Sequence, residues 1–284
     1  MKSAMSVDLS AEVAVVTGGS GVLCSGIARA LAACGARVAV LGRRIEKAEA
    51  VASAIRQDGG RALAVACDVL DKPGLDAART RIEQELGPVT ILVNGAGGNH
   101  PSATAAREQV LPEAAAGALA GGTFFDLDPA GLRSVFELNL MGTLLPTQVF
   151  AGAMARRRRG TVINVSSMSA FTPLTKVVAY SAAKAAVNNF TQWLAVHLAK
   201  TGVRVNAIAP GFFLTEQNRR LLTQADGTLT PRGNAVLAHT PMGRFGQAED
   251  LIGTVLWLAS EPASQFVTGT VIPIDGGFSA FSGV

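Results

Sequence analysis

Tyr180 and Lys184 lie four positions apart in the segment AYSAAKAAV, and Tyr180 is the only tyrosine in the chain. On a helix this spacing places both side chains on one face, with Cβ atoms ~5–6 Å apart. An adjacent ammonium favours the phenolate form of a tyrosine, whose ordinary pKa is ~10. The pair therefore predicts a tyrosine tuned to transfer a proton near neutral pH. The alternative interpretation is an ordinary residue of an amphipathic core helix.

A second chemical feature is the segment AVVTGGSGVLCSG at 14–26, in which an apolar run is followed by four glycines. Backbone N–H groups at a turn between a strand and a helix bind pyrophosphate, aided by the positive end of the helix. Glycine is needed where the backbone turns tightly or approaches the phosphate. A glycine cluster alone can be a plain turn. Here a strand before it, a helix after it and a second strand ending at Leu41 favour a nucleotide site.

The elements that position these residues alternate along the chain. Short Val/Ile-rich runs predict strands at 12–17, 37–41, 61–66, 89–94, 161–166, 203–209 and 269–275. Helical periodicity predicts helices at about 22–34, 45–57, 75–86, 130–155, 180–200 and 248–259. Continuous apolar strands joined by helices indicate a parallel sheet covered on both faces. We therefore predict a single-domain α/β fold over residues 1–284, doubly wound and Rossmann-like, with ligands outside the carboxyl ends of the strands.

Two long connections, 98–128 and 210–247, follow predicted strand ends and should overhang the ligand crevice. Connections of this length in a compact domain are usually functional or disordered. The helical-looking turns of the second connection suggest a lid.

Composition and charge limit the kinds of partner that the protein is expected to bind. The net charge is +4, and the one dense basic cluster, RRRRG at 156–160, has no interleaved aromatic residues. We interpret this cluster as the solvated end of a helix and predict no nucleic-acid partner. The three cysteines form no C-x-x-C pair, which predicts reduced thiols in a cytoplasmic protein. The three histidines are dispersed along the chain, so we predict no metal site. No apolar run is long enough to span a membrane, and the start lacks the pattern of a signal peptide.

The chain resembles the short-chain dehydrogenase/reductase family over essentially its whole length. The family loop reads T-G-x-x-x-G-x-G. Thr17 and Gly18 fall in register, whereas Val22 and Cys24 stand at the two later glycine positions, with Gly21 and Gly26 beside them. We interpret this difference as a shift of the turn's glycine by one residue. The resemblance implies a Rossmann-like, NAD(P)-dependent enzyme that interconverts a secondary alcohol and a ketone.

The resemblance also implies four catalytic residues, Asn139 in LNLMG, Ser167 in INVSS, and the pair Tyr180 and Lys184. Ser167 would hydrogen-bond the substrate oxygen as its charge grows, and Asn139 would hold a water that relays protons toward Lys184. The positive ring of an oxidised nicotinamide would join Lys184 in lowering the pKa of Tyr180. A dinucleotide-binding sensor without turnover is the alternative, which this intact set disfavours.

For the cofactor, the resemblance implies contacts from the glycine loop, the adenine-edge pair, the NGAG strand end and the P-G-x-x-x-T loop. These residues are Gly18, Ser20, Gly21, Val22, Leu23, Arg43, Asp68, Val69, Asn94, Ala96, Gly97, Tyr180, Lys184, Pro210, Gly211, Phe213 and Thr215. Where an acidic residue would hold the ribose of NAD, the chain has Gly42 followed by Arg43 and Arg44. This pattern favours NADP over NAD. If Arg43 only stacks on the adenine, either cofactor would be accepted.

Several segments, among them NGAGGNHPSAT and APGFFLTEQNRRLL, resemble the bacterial D-mannonate oxidoreductase (fructuronate reductase) branch of the family. A sugar acid needs a cation for its carboxylate and polar groups for its hydroxyls. The candidates are Asn99, His100, Lys176, Gln217, Asn218 and Arg219. Arg219 is the first choice for the carboxylate and Lys176 the second, because arginine suits bidentate recognition. Each candidate could also be a solvated loop residue, and His100 could be a helix cap or a buried hydrogen-bond partner.

Two further expectations concern the alternatives and the assembly. A reductase of acyl-carrier thioesters remains a second enzyme interpretation, although the polar TEQNRR segment fits it poorly. Proteins of this family are usually tetramers, with the helix that carries the catalytic tyrosine and the last strand at subunit contacts. The resemblance therefore implies a homotetramer.

Overall fold

The computed structural model of the chain describes residues 7–110, 121–215 and 219–283. Its seven strands form one parallel sheet in the order β3-β2-β1-β4-β5-β6-β7. The strands are β1 Val13–Thr17, β2 Arg37–Gly42, β3 Arg61–Ala66, β4 Ile91–Asn94, β5 Gly160–Val165, β6 Val203–Pro210 and β7 Val271–Ile274.

Helices connect these strands and cover both faces of the sheet. They are α1 Val22–Ala33, α2 Ile45–Gln57, α3 Lys72–Glu85, α4 Pro129–Phe136, α5 Gly142–Arg157, α6 Val178–Leu198, α7 Arg219–Leu222, α8 Pro231–Ala238, α9 Ile252–Ala259 and α10 Glu261–Ser264. Single 3₁₀ turns lie at Pro101–Ala103, Phe124–Asp126, Met168–Ala170, Ala199–Thr201, Ala248–Leu251 and Phe278–Ala280.

The strand order reverses at β1. Thr17 at the end of β1 pairs with Leu41 of β2 on one side and with Asn94 of β4 on the other. The chain proceeds outward through β2 and β3 and then crosses to β4, so the connections after β1 and β4 diverge. A ligand crevice forms at such a switch point. The predicted doubly wound, Rossmann-like fold is confirmed.

The apolar core has two layers, one on each face of the sheet. Ile27 and Leu31 of α1 pack on one face together with Leu258 of α9. Phe150 of α5 and Leu194 of α6 pack on the other face. All five residues of β1 and all eight of β6 are buried, which explains why these strands read as continuous apolar runs rather than as alternating ones.

The predicted helix 130–155 is divided. Helix α4 is followed by a wider π turn at Glu137–Met141, and α5 continues from Gly142. The Nδ2 atom of Asn139 donates to the carbonyl of Val135 at 2.8 Å, which is the acceptor that the Asn139 N–H would use in a regular α-helix. A side chain that occupies this acceptor favours a local widening of the helix.

The arginine run lies at the end of α5, and its side chains also bind neighbouring elements. Arg157 donates to the carboxylate of Glu83 on α3 and to the carbonyl of Val89. Arg159 forms an ion pair with Glu12 before β1. These arginines therefore anchor the end of the helix to the amino-terminal edge of the sheet.

The two long connections meet above the carboxyl ends of the strands. Ala105 N–H donates to the carbonyl of Lys176 at 2.8 Å, which ties the first connection to the segment before α6. Arg232 lies on α8, within the second connection. Its Nη1 atom is 3.6 Å from Oε1 of Glu108 in the first connection. Within the described ranges, no helix has the length and apolar character needed to cross a membrane.

Candidate active site

A cleft of about 280 Å³ opens at the carboxyl ends of β1, β4, β5 and β6. The predicted site residues that line it are Gly18, Gly21, Val22, Leu23, Ala96, Gly97, Ser167, Tyr180, Lys184, Pro210, Gly211 and Thr215. These residues come from five separate segments, so the fold brings most of the predicted catalytic and cofactor-binding set to one place.

The floor of the cleft is formed by glycine-rich backbone at the ends of β1 and β4. The hydroxyl of Thr17 accepts hydrogen bonds from Gly95 N at 3.1 Å and Ala96 N at 3.3 Å, which joins the end of β1 to the end of β4. Gly18 has a φ of +61°, and a Cβ atom there would lie 2.9 Å from the Cα of Ala96. Glycine is therefore required both for the backbone conformation and for the close approach of the two segments. This cradle fits a dinucleotide phosphate at the start of α1.

The predicted proton-transfer pair lies on the first two turns of α6. The Nζ atom of Lys184 is 5.6 Å from the centre of the Tyr180 ring and donates to the carbonyl of Val165 at 2.8 Å. Ser167 lies two residues after the end of β5. Its hydroxyl accepts hydrogen bonds from the backbone N–H of Ser169 at 3.2 Å and the hydroxyl of Ser169 at 3.0 Å. Tyr180, Lys184 and Ser167 thus line the same wall of the cleft.

Burial sets the pKa values of this pair. Burial raises the pKa of Tyr180, and the hydrogen bond with Ser167 acts in the opposite direction. Burial lowers the pKa of Lys184 to about 8, while the nearby Cys24 thiol has a smaller opposing effect. The prediction that the neighbouring lysine lowers the pKa of Tyr180 is therefore wrong for the coenzyme-free chain. The two residues do share one helix face, but desolvation of the phenol is the largest effect on its pKa and outweighs the hydrogen bond with Ser167.

Asn139 lies behind the cleft wall and is fully buried. Its side-chain Nδ2 donates to Gly98 O at 2.7 Å, and its Oδ1 accepts from Gly98 N at 3.1 Å. A Cβ atom at Gly97 would lie 2.7 Å from Asn139 Oδ1 and 3.2 Å from Lys184 Nζ. The absence of a side chain at position 97 therefore lets Asn139 and Lys184 approach the same stretch of backbone.

The remaining predicted cofactor residues, Ser20, Arg43, Asp68, Val69, Asn94 and Phe213, do not line the cleft itself. The carboxylate of Asp68 accepts from Leu70 N at 3.0 Å, and Val69 is buried beside Gly142. Asn94 is buried and donates to Thr147 and Asn164, so its side chain supports the end of β4 from below.

Arg43 is exposed just after β2. Ser20 approaches the same strand end, because a Cβ atom at Gly42 would lie 3.1 Å from its hydroxyl. Phe213 is buried and packs over Gly246 of the second connection.

The predicted substrate residues are more dispersed. Asn99 donates to Thr104 at 2.7 Å, and His100 accepts from the Ser102 N–H as the cap of a short 3₁₀ turn. This contact agrees with the alternative interpretation of His100 as a helix cap. Arg219 is exposed at the start of α7, and its backbone N–H donates to Thr215 O at 2.8 Å.

Lys176 has a left-handed backbone, with φ of +72°, and lines a separate cavity of about 160 Å³ together with Arg107 and Phe124. Gln217 and Asn218 lie outside the described residues. In the described part of the chain, therefore, Asn99, His100, Lys176 and Arg219 do not line the cleft itself.

Three side chains of the site were not among the predicted site residues. Thr17 holds the strand ends together, Ser169 orients Ser167, and Cys24 lines the cleft from α1. The S-x-S spacing in SSMS is a signal that could have identified Ser169, because a serine hydroxyl readily binds the backbone two residues away. Cys24 was noted only as a departure from the family loop.

The parallel sheet, the glycine cradle at its switch point and the serine, tyrosine and lysine beside the cradle define a dinucleotide-dependent oxidoreductase. The sequence profile described as short chain dehydrogenase matches residues 12–226. The chain therefore belongs to the short-chain dehydrogenase family, whose members oxidise CH–OH groups or reduce the corresponding carbonyls.

Similar proteins cover nearly the whole chain. The uncharacterised oxidoreductase UxuB of Bacillus subtilis is 54% identical over 277 residues, covering 98% of each chain. A structure from Haemophilus influenza, provisionally named a D-mannonate oxidoreductase and holding NAD, is 49% identical with a TM-score of 0.92, covering 99% of each chain. A gluconate 5-dehydrogenase from Burkholderia cenocepacia, in complex with NADP and tartrate, is 30% identical with a TM-score of 0.81, covering 98% of each chain.

Proposed function

We propose that this oxidoreductase reduces a keto sugar acid to the corresponding hydroxy acid, with D-fructuronate and D-mannonate as the pair of substrates. The observation that carries the proposal is the 49% identity, over 99% of each chain, to the structure provisionally named a D-mannonate oxidoreductase. The tartrate bound to the similar gluconate 5-dehydrogenase supports a hydroxy-acid substrate as well.

Each side chain has a distinct task in this reaction. The nicotinamide coenzyme supplies the hydride chemistry when it is bound. The hydroxyl of Tyr180 protonates the carbonyl oxygen of the substrate, and Ser167, oriented by Ser169, hydrogen-bonds that oxygen as its charge grows. Lys184 returns a proton to Tyr180, through water held beside Asn139.

The protonation state of Tyr180 suits a proton donor, although a raised pKa makes the phenol a weaker acid. Because burial raises the pKa of Tyr180, the phenol stays protonated at neutral pH and is ready to donate to a ketone. In the reverse direction, the positive ring of an oxidised nicotinamide would lower the pKa of the same phenol and favour proton acceptance.

NADP(H) is our proposed coenzyme. Arg43 and Arg44 are exposed at the end of β2, and position 42 is a glycine rather than an acidic residue. A guanidinium there would bind the 2′-phosphate of NADP. The similar structures hold NAD in one case and NADP in the other, so the comparison leaves the choice to experiment.

Coenzyme preference can be measured with two substitutions. Arg43→Ala should raise the Kd of NADPH at least ~10-fold and leave that of NADH nearly unchanged, because a charge-assisted hydrogen bond contributes ~1.5–3 kcal/mol. Gly42→Asp should shift the preference toward NADH. Arg29→Ala, which removes an exposed arginine paired with Asp58, is the control. Equal effects of Arg43→Ala on both coenzymes would mean that this arginine only stacks on adenine.

The carboxylate can be tested by comparing D-fructuronate with D-fructose, its uncharged analogue. Arg219→Ala should lower kcat/KM for D-fructuronate roughly 10- to 100-fold and leave that for D-fructose nearly unchanged, mainly through KM. Lys176→Ala is the second variant, and Lys200→Ala, in the 3₁₀ turn that follows α6, is the control. If neither variant loses discrimination between the two sugars, these loops do not bind the carboxylate. Turnover of a 3-oxoacyl thioester instead would favour the acyl-carrier interpretation.

A homotetramer remains part of the proposal. Trp193 and Val196 on the outer face of α6 are 58% and 80% exposed, and Phe266 before β7 is fully exposed. Large apolar side chains grouped on a surface commonly mark contacts between proteins. Light scattering should give four times the chain mass, and Val196→Asp should reduce it. A wild-type mass equal to that of a single chain would contradict the proposal.

A further inference from the structure

The strongest unassigned feature is the contact between Cys24 and Gly95 at the cleft. Cys24 is the third residue of α1 and is only 5% exposed. Its thiol donates to the carbonyl of Gly95, with a distance of 3.7 Å from sulfur to oxygen. The two residues are 71 positions apart in the chain, and both line the cleft that takes the dinucleotide.

Space, and not backbone conformation, requires glycine at position 95. Gly95 is not among the described glycines with a positive φ, so its backbone could accept a side chain. A Cβ atom built there would overlap the sulfur of Cys24 and would lie 2.9 Å from Thr17 O. The Cβ of Cys24 would lie at an ordinary contact distance of 3.5 Å. The sulfur is therefore the nearest obstacle to a side chain at position 95.

The sequence shows the same exchange. In the motifs of the family that this chain resembles, glycine stands at the position of Cys24, and the strand end that NGAG at 94–97 resembles reads N-N-A-G. A side chain is gained on α1 and one is lost at the end of β4. Because interiors are closely packed, such paired changes in volume are expected between residues that touch.

The segment that Cys24 touches also holds the catalytic groups. Gly95 and Ala96 are bound to Thr17, and Gly98 is bound on both its N–H and its carbonyl by Asn139. A displacement of Gly95 would therefore be passed to the backbone beside Asn139 and Lys184.

We propose that Cys24 is a positioning residue. Its thiol occupies the space left by the missing side chain at position 95, holds the Gly95–Gly98 segment against α1, and so sets the width of the dinucleotide cleft. This inference rests on dinucleotide binding by the cleft and does not depend on the identity of the substrate.

The chemistry of the thiol agrees with a packing role. Burial raises the pKa of Cys24 to about 11, so the thiol is neutral and can act as a weak donor to Gly95 O. Reactive cysteines have lowered pKa values and accessible sulfur atoms. Cys24 has neither property.

The experiment is a double-mutant cycle with Cys24→Ala, Gly95→Ala and the combined variant. The readouts are the Kd of NADPH, measured by fluorescence titration, and the Tm of the coenzyme-free protein. Gly95→Ala should weaken NADPH binding roughly 30-fold, since overpacking a tight contact displaces backbone. The combined variant should bind at least ~10-fold more tightly than Gly95→Ala, a gain of ~1.4 kcal/mol, and the coupling energy is larger still by the cost of Cys24→Ala alone. Recovery should be partial, because the contact with Thr17 O remains.

Two further variants serve as controls. Cys24→Ser keeps nearly the same volume and a donor to Gly95 O, and should bind NADPH within ~3-fold of the wild type, whereas Cys24→Ala should bind clearly more weakly. Cys34→Ala removes a thiol at the other end of α1 and should leave Kd unchanged.

The proposal is wrong if the combined variant binds NADPH no better than Gly95→Ala. It is also wrong if Cys24→Ala lowers Tm but leaves Kd unchanged, because the thiol would then only stabilise the fold. If Gly95→Ala does not fold, the comparison of Cys24→Ala with Cys24→Ser carries the test. Equal Kd values for these two variants would overturn the proposal.

Discussion

Replacing Lys184 by methionine should change how the stability of the protein depends on pH. Lys184 is only 4% exposed, and burial lowers its pKa from 10.5 to about 8. At ~1.4 kcal/mol for each pKa unit, keeping this ammonium in the folded chain below pH 8 costs ~3 kcal/mol of folding free energy. Methionine has a similar length and no charge, so it removes this penalty.

The direction of this pH dependence follows from the number of protons that the folded and the unfolded chain bind. Below pH 8 the lysine is protonated in both the folded and the unfolded chain, and the full penalty is present. Between pH 8 and 10.5 the unfolded chain binds more protons, so the stability of the wild type rises with pH. Roughly 2.5 kcal/mol should be regained relative to Lys184→Met between pH 7 and pH 10. For a domain of this size that corresponds to roughly 5 °C in Tm.

The assay is thermal unfolding of both coenzyme-free proteins at several pH values, read as the difference in Tm. The variant also loses the hydrogen bond from Lys184 Nζ to Val165 O. To first approximation this loss changes the stability by the same amount at every pH, so it does not alter the slope of the Tm difference against pH. Groups that titrate in both proteins cancel in the difference. Lys200→Met, at an exposed lysine, is the control and should give a flat difference. A flat difference for Lys184→Met as well would refute the claim that burial lowers its pKa.

Three further predictions concern the same site. Tyr180→Phe should keep the Tm and the Kd of the coenzyme but lower kcat at least ~100-fold, and near-wild-type turnover would exclude its role in proton transfer. Thr17→Val should lower Tm and weaken coenzyme binding, because Gly95 N and Ala96 N lose their acceptor at ~1–3 kcal/mol each. Thr80→Val on α3 is its control, and equal effects of the two substitutions would contradict the role of Thr17 in joining the ends of β1 and β4. For ketone reduction, kcat/KM should fall above about pH 8, as Lys184 loses its proton, and a profile flat to pH 10 would argue against that relay.

The sheet could be predicted from the sequence because its strands are buried on both faces. The prediction for 61–66 coincides with β3, and that for 45–57 coincides with α2. Continuous apolar runs and regular helical periodicity identify such elements without knowledge of tertiary contacts. The residues of the cleft were predicted through motifs, and the fold brings most of them together.

Features that depend on side-chain hydrogen bonds, depth of burial or tertiary contacts could not be predicted. The π turn around Asn139 arises from a side chain bonded to the Val135 carbonyl, and hydrophobic periodicity does not detect it. The pKa of Tyr180 depends on how deeply the phenol is buried, whereas the sequence gives only its distance from Lys184 along the helix. The exchange of volume between Cys24 and Gly95 links positions 71 residues apart.

Reduction of D-fructuronate, followed as the loss of NADPH or NADH absorbance at 340 nm, tests the central claim most directly. The wild type should consume the coenzyme with a kcat/KM for D-fructuronate at least ~10-fold above that for D-fructose, since a charge-assisted contact to the carboxylate contributes ~1.5 kcal/mol or more. Tyr180→Phe should show almost no turnover under the same conditions. Equal kcat/KM values for the two sugars, or turnover of neither with either coenzyme, would contradict the assignment as a keto sugar acid reductase.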